Sequence, residues 1–417
     1  LFEEGMNMSG NEKGFSRRDF LRAAGAAGIS SLLTGTGAMA GKTGQMAQKT
    51  TENIVVPTRP FGKTGVNVSI LSLGGIFDIT SNQIVLRKAL ESGVTYWDTA
   101  TSYVGGKSEI GIGKYFEKYP EARKEVFLVT KSGASSSRGM TKHLDRSFER
   151  MKTDYIDMFF MHSVSGIGGV DDEMKVWAEK AKASGKIRFF GFSTHSNMEE
   201  CLLGAAKLGW IDGIMMTYNY RLMHTDQMKA AVDACAKAGI GLTAMKTQAG
   251  SSWVRVGKEG EAASRLIERF RRRGFTEEQA KLKAVWENPN ISSICSEMPS
   301  LKILMSNVSA ALDRTKLSAE DMRLLEHYAR ETAPGYCAGC THICESACSH
   351  RVPIGEVMRY LMYHTYGECD RARGLFAKLP GQTRERMSTT DYYRAERRCP
   401  QGMPIGRLMR EAAGILA

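Results

Sequence analysis

The sequence predicts an α/β protein, a (β/α)₈ TIM barrel followed by a small C-terminal α-helical domain. Three observations carry this reading. Short β-prone runs alternate with helical stretches from Val68 to Leu312, eight strands in strict order, and such alternation closes into a parallel barrel rather than an open sheet. Asp98, Tyr103, Lys131 and His162 fall at or just past the ends of three successive strands, and in a parallel barrel those ends share one face. Six of the nine cysteines follow Tyr336, which marks a separate cysteine module.

The chain has 417 residues, 42% hydrophobic and 24% charged, enough for one large domain and a smaller one and too apolar for a disordered chain. The formal net charge of +12 is scattered, apart from the run Arg269 to Arg273. No basic motif interleaved with aromatics is present, so no nucleic-acid partner is expected, and the charge reads as a solvated surface. Residues 1–5 make an unusual protein start, and Met6 or Met8 is the expected initiator. Ser16-Arg17-Arg18-Asp19-Phe20-Leu21 precedes a Gly/Ala-rich apolar run ending near Ala38-Met39-Ala40. This looks like a twin-arginine export signal over residues 1–40, with a small-residue cleavage site. The run is too short and too rich in Gly and Ser for a stable membrane span. The expected location is the periplasm, reached in the folded state. Residues 41–52 read as a polar linker, 53–334 as the barrel and 335–417 as the helical domain.

The first elements predicted are a hairpin from Asn53, turning at Gly62-Lys63-Thr64-Gly65, and a first barrel strand, Val68–Leu73. Helix Gln83–Ser92 stops at Gly93, a residue suited to helix termination. The second strand, Val94–Trp97, opens into the small-residue loop that carries Asp98 and Tyr103. A helix over Lys107–Tyr119 leads to strand Val126–Thr130 and Lys131, and helix Thr141–Lys152 to strand Ile156–Met161 and His162. The pattern continues with helix Glu173–Ala183, strand Ile187–Phe192, helix Met198–Leu208, strand Gly213–Asn219, helix Asp226–Ala238 and strand Gly241–Ala244. A mostly helical segment to Trp286, strand Ile291–Cys295 and helix Leu301–Leu312 complete the barrel. Helix Ala319–Thr332 ends at Pro334-Gly335, a natural boundary.

Taken singly, Asp98 reads as a turn cap, Lys131 as a solvated strand end and His162 as a core histidine. Together they suit proton transfer to a carbonyl oxygen. A free tyrosine is a poor acid at neutral pH. A neighbouring ammonium lowers its pKa, Asp98 can hold Lys131 charged, and His162 can donate a hydrogen bond to the reacting oxygen. Tyr103 is then the general acid in reduction and the general base in oxidation. The order WDTA…Y, VTK and DYIDMFFMH resembles the aldo-keto reductase superfamily over roughly Pro57 to Leu317. The resemblance implies Asp98, Tyr103, Lys131 and His162 as the catalytic residues, NADP(H) or NAD(H) as cofactor, and a small-molecule carbonyl or alcohol substrate.

The resemblance also implies that later strand ends hold the nucleotide. Ser193 and Thr194 stand where a Ser-Asn pair is usual, with Ser193 the expected carboxamide contact. Met215 occupies a position at which many members carry Gln. Lys246, in Ala244-Met245-Lys246-Thr247, follows the seventh strand, where many reductases place an aromatic residue. Ser296-Glu297-Met298 lacks the basic residue often used for a 2′-phosphate. The same residues also read as ordinary strand-end packing. The AMKT and YN variants resemble the subgroup of the family that carries an iron–sulfur tail.

Cys337, Cys340, Cys344 and Cys348 lie within twelve residues, a strong ligand signal for a soft metal centre. The run resembles the ferredoxin pattern with one extra residue before the third cysteine. The stretch Cys348 to Arg359 echoes Cys399 to Arg410 at a constant offset of 51 residues, like the halves of a two-cluster ferredoxin. Ser388, Asp391 and Ala395 stand at that offset from Cys337, Cys340 and Cys344, so one 4Fe–4S cluster is expected. Its fourth ligand is Cys399 by the ferredoxin logic, in which the last cysteine serves the other half, or else Cys348. Structural zinc or disulfides are the alternatives, and Cys369 is not expected to be a ligand.

The leading expectation is therefore an exported aldo-keto reductase-type oxidoreductase with an accessory 4Fe–4S cluster and an electron-transfer partner for it. The rival is an electron-transfer or binding protein with a vestigial barrel site and a structural metal centre.

Overall fold

The structure, a computed structural model, describes residues 55–248, 259–348 and 352–417. The export signal, the linker, the predicted hairpin start at Asn53 and most of the segment Gly250–Glu261 lie outside the described residues. The described residues all belong to one compact unit.

The hairpin pairs β1 (Thr58–Pro60) with β2 (Asn67–Ser69), antiparallel. Eight parallel strands then close a barrel: β3 (Leu71–Gly74), β4 (Tyr96–Asp98), β5 (Phe127–Ser132), β6 (Ile156–Met161), β7 (Ile187–Thr194), β8 (Gly213–Thr217), β9 (Gly241–Met245) and β10 (Ser293–Glu297). Closure is made by β10 on β3, with Ile294 opposite Leu71. One expectation needs correction. The predicted strand Val68–Leu73 is two strands, because Asn67–Ser69 turns back on the hairpin and only Leu71–Gly74 joins the barrel. The run Val68-Ser69-Ile70-Leu71-Ser72-Leu73 hides that break, since every residue in it is buried and it carries no turn signal.

The helices follow the sequence closely. Met198–Leu208 and Leu301–Leu312 fall where predicted, while the helix predicted from Thr141 begins at Ser137, capped by Ser136 accepting from the Gly139 N–H. The long segment before Trp286 is two helices, Glu259–Arg272 and Glu277–Trp286, the second opened by a capping box between Thr276 and Gln279. Among the described residues no helix is long and apolar enough to cross a membrane.

The barrel interior is filled rather than hollow. Phe61, from the hairpin loop, is fully buried and packs with Tyr96, Phe127, Val129, Met158, Phe160 and Met215. It fits because Gly213 and Gly241 carry no side chain there: a Cβ on either would lie 2.7 Å from the Phe61 ring. Tyr96 and Thr243 share a hydrogen bond of 3.2 Å across the interior.

Beyond the barrel, helices Ile354–Thr365, Cys369–Phe376, Gly381–Thr389, Tyr393–Arg398 and Ile405–Ile415 build the C-terminal lobe. The 51-residue echo has a structural counterpart. Glu345 accepts from the Gly355 N–H at 3.1 Å, and Glu396, at the same offset, accepts from the Gly406 N–H at 2.7 Å. Pro353 and Pro404 precede the two equivalent helices with matching backbone angles, φ −80°, ψ 72° and φ −78°, ψ 69°.

The Phe61 plug yields a prediction. Phe61→Ala should cost about 3–5 kcal/mol through the cavity it leaves, and Gly241→Ala about 1–3 kcal/mol through overpacking. The double variant should lose less than the sum, because each change relieves the other. Chemical denaturation of the four proteins measures this, and strict additivity would show that the ring does not fill the space above Gly241.

Candidate active site

Asp98 ends β4, Lys131 lies in β5, and His162 follows β6, so the barrel delivers all three to the C-terminal end of neighbouring strands. Tyr103 stands on the β4 loop at the start of a short 3₁₀ turn, Tyr103–Gly106. That turn is tightly made: Val104, Gly105 and Gly106 have positive φ of 49°, 63° and 94°. Arg150 braces it by donating to the Thr101 carbonyl at 2.9 Å and to buried Glu109 at 3.0 Å. Gly106, with φ of 94°, adopts a backbone angle that favours glycine, and a Cβ there would also displace the Arg150 guanidinium, 2.5 Å away.

The Lys131 ammonium is buried and uses all three of its donors. It bonds Asp98 Oδ2 at 2.7 Å, the Thr99 carbonyl at 2.8 Å and Tyr103 Oη at 3.2 Å. An ammonium has three protons and no lone pair, so the Tyr103 oxygen is the acceptor in this contact and its own proton is free to point elsewhere. The His162 ring meets the Tyr103 ring edge-on, centroids 5.7 Å apart at 73°. The four side chains therefore meet in one place.

The electrostatics differ from the expectation in one respect. Lys131 does oppose the effect of burial on Tyr103, but burial prevails and the phenol is pushed up to about 12. The side chain is a hydrogen-bond donor at neutral pH, not a phenolate, because desolvation of an anion outweighs a neighbouring ammonium that Asp98 already partly neutralises. Burial also works against the Lys131 charge, but Asp98 and Tyr103 outweigh it and hold the ammonium above its ordinary value. His162 is driven down to about 3, by burial first and then by Lys131, Arg359 and Arg371. It is a neutral imidazole that can donate a hydrogen bond.

Cys295 enters this site unannounced. From sequence it reads as a small packed hydrophobe, yet its S–H donates to Asp98 Oδ2 at 3.6 Å. Barrel closure brings β10 beside β3 and hence close to β4, and no local pattern signals that.

The expected cofactor contacts are dispersed over the later strand ends. Ser193 is buried, with its hydroxyl accepting from the Ser163 N–H at 3.0 Å. Thr194 is fully buried and spends its hydroxyl on the Ser196 backbone, donating at 2.7 Å and accepting at 3.2 Å. Met215 packs inside the barrel. Lys246 has a positive φ of 59° and holds its ammonium 4.9 Å from the Tyr363 ring centroid. Asn219 of the YN pair ties strand ends to the lobe, donating to the Lys246 carbonyl at 3.1 Å and to Tyr336 Oη at 2.9 Å.

Cys337, Cys340, Cys344 and Cys399 line one pocket together with Ile343, Ile354, Met358, Met403 and Ile405, and Cys348 does not line it. Among the described residues no three His, Cys, Asp or Glu side chains are arranged to hold a metal ion. Burial pushes the Cys337 thiol up to about 12 and Cys340 up to about 11, so the surrounding protein by itself favours thiols.

Against this geometry the comparisons are direct. The model of the Aldo/keto reductase family matches residues 73–326, more than half of the chain. The chain belongs to the aldo/keto reductase family. It is 33% identical over 153 residues to "Aldo-keto reductase yakc [NADP(+)]" of Schizosaccharomyces pombe, covering 34% of this chain and 43% of that protein. It is 26% identical over 214 residues to the oxidoreductase YrpG of Bacillus subtilis, covering 45% and 65%. The chain thus spans less than two thirds of the length of these relatives. The solved aldo-keto reductase AKR11C1 from Bacillus halodurans, in its holo form, shares the fold with a TM-score of 0.55 at 22% identity, over 66% of this chain and 96% of that one. The family match ends at residue 326, and the cysteine lobe lies beyond it.

The depressed histidine makes a pH prediction for this protein. Above about pH 6.5, His162 is neutral folded and unfolded and costs nothing. As pH falls from about 6.5 toward 3, the unfolded chain binds a proton that the folded chain refuses, so stability is lost across that window. His162→Asn should therefore lose less stability than the parent between pH 7 and pH 4.5. Melting temperatures of both proteins at the two pH values test this, and parallel losses would mean that His162 is not held neutral.

Proposed function

We propose that this aldo/keto reductase is an oxidoreductase that interconverts a carbonyl and an alcohol with a nicotinamide nucleotide. The observation that carries the reading is the chain Asp98–Lys131–Tyr103, with bonds of 2.7 and 3.2 Å and the His162 ring against the phenol. A nicotinamide nucleotide supplies or accepts the hydride when bound. In reduction, Tyr103 gives its proton to the substrate oxygen, and Lys131 stabilises the phenolate that results. Neutral His162 donates a hydrogen bond to the same oxygen as its charge develops. In oxidation the proton returns to Tyr103. The NADP(+) in the name of the Schizosaccharomyces pombe relative supports NADP(H). Ser193 and Lys246 are the residues proposed to reach the nucleotide, whereas the satisfied hydroxyl of Thr194 and the interior position of Met215 leave those two with supporting roles.

Tyr103→Phe should lower turnover by about a thousandfold or more while leaving NADPH binding, followed by fluorescence titration, within a few-fold of the parent. Full activity in that variant would end the reading.

The proposal extends to one 4Fe–4S cluster held by Cys337, Cys340, Cys344 and Cys399 in a lobe spanning residues 335–417. Support comes from the four sulfur-bearing side chains around one apolar pocket and from the repeated Glu-to-glycine bonds of the two half-lobes. A cubane holds its ligands around a body several ångströms across, so cysteines that serve it need not converge as they do on a single ion. Its iron would supply the positive charge that buried thiolates require. The twin-arginine pair Arg17-Arg18 supports export of the folded protein to the periplasm. Anaerobically purified protein should contain about four iron and four sulfide per chain. Cys399→Ser should lose them and Cys348→Ser keep them. Zinc without sulfide, or dependence on Cys348 alone, would overturn the assignment.

A further inference from the structure

The C-terminal lobe is folded onto the mouth of the barrel. Asn197, after β7, has its N–H bonded to the Gly339 carbonyl at 2.9 Å, and its side-chain oxygen accepts from Thr341 Oγ1 at 3.1 Å and the His342 N–H at 3.1 Å. Arg359 donates to Ser196 Oγ at 3.1 Å. Both the Lys246 ammonium, 4.9 Å from the Tyr363 ring centroid, and the Arg371 guanidinium, 4.0 Å from it, approach that ring. Tyr103, His162, Lys246, Arg359 and Arg371 are all only partly buried. The lobe therefore adds two guanidiniums, Arg359 and Arg371, to the end of the barrel that holds the catalytic candidates.

The charges there do not cancel. Glu368 is bonded to Arg371, and Glu297 feels Glu368, Arg371 and Lys246. Arg359 and Lys246 have no carboxylate within 4.0 Å among the described residues. Among the described residues three cations thus face two carboxylates there, and the hydrogen bond that Arg359 makes goes to a neutral hydroxyl. The fields of both arginines reach His162, and that of Arg371 reaches Tyr103. A guanidinium with unused donors in a partly desolvated mouth is suited to a carboxylate, which it can bind through two parallel hydrogen bonds.

We propose that the substrate is a carbonyl or alcohol compound carrying a carboxylate, which Arg359 grips, with Arg371 beside it, while Tyr103 and His162 address the reacting oxygen. This rests on the carbonyl–alcohol reading above. The alternative anion is the nucleotide phosphate. The substrate is favoured because both arginines lie beyond residue 326, outside the part of the chain that matches the family and that shares its nucleotide chemistry.

The test uses the full chain with NADPH and two aldehydes of similar size, 4-carboxybenzaldehyde and methyl 4-formylbenzoate. The parent should show kcat/KM at least tenfold higher for the carboxylate, and Arg359→Gln and Arg371→Gln should each bring that ratio to within threefold of one. Arg371 is the second variant because the field of Arg359 also reaches the Cys337 thiol, so iron content and melting temperature are compared for all three proteins. Binding of benzoate against benzamide, by calorimetry, reads the anion site without turnover, with a tenfold preference expected in the parent and lost in both variants. Reduction of both aldehydes without preference overturns the proposal and leaves the reductase reading intact. Arginine-dependent benzoate binding with neither aldehyde reduced does the reverse. A tenfold rise in KM for NADPH with the aldehyde ratio unchanged assigns the arginines to the nucleotide and also overturns the proposal.

Discussion

One buried ammonium organises the active end of this barrel. Lys131 has almost no contact with solvent, and its charge survives because Asp98, the Thr99 carbonyl and Tyr103 each accept a hydrogen bond from it. Remove any acceptor and a desolvated donor is left unpaired, which is far more costly than the loss of a surface contact. The position of the Tyr103 hydroxyl depends on this arrangement, and so does the orientation of its proton. The ion pair in turn needs adjacent parallel strands in register, with Asp98 opposite Val129 and Lys131 two residues further along β5. The interior packing around Phe61 and Tyr96 holds those strands in place beneath the pair.

The C-terminal lobe is the second organising feature. Its internal echo is physical rather than nominal: a glutamate ties the N–H of a helix-starting glycine in both halves, 51 residues apart. It docks through Asn197, whose left-handed backbone aims its amide at the lobe. Gly339 makes the approach close enough, since a Cβ there would lie 2.4 Å from the His195 carbonyl. The same docking brings Arg359 and Arg371 toward His162, so the lobe shapes the electrostatics of the catalytic candidates.

Much of the fold was legible because its signals are local. Alternating strands and helices, a serine before a helix and a glycine after one act within a few residues, and helices such as Met198–Leu208 fall where the pattern puts them. The break at Ile70 between β2 and β3 was not legible, because a run without Gly, Pro, Asn or Asp carries no mark of where a chain changes partner. Asp98, Tyr103, Lys131 and His162 stood out as polar residues at strand ends. Cys295 did not, because a lone cysteine in an apolar strand looks the same whether it packs or bonds a carboxylate.

By itself the sequence determined the barrel, the set of polar residues at its C-terminal face and the paired design of the cysteine lobe, since periodicity, spacing and repetition are properties of the chain. Tertiary structure alone decided the state of the tyrosine, the company of Asp98 and the covering of the barrel mouth. Each of these depends on how deeply a group is buried and on which distant charges surround it, and neither quantity exists until the chain has closed on itself.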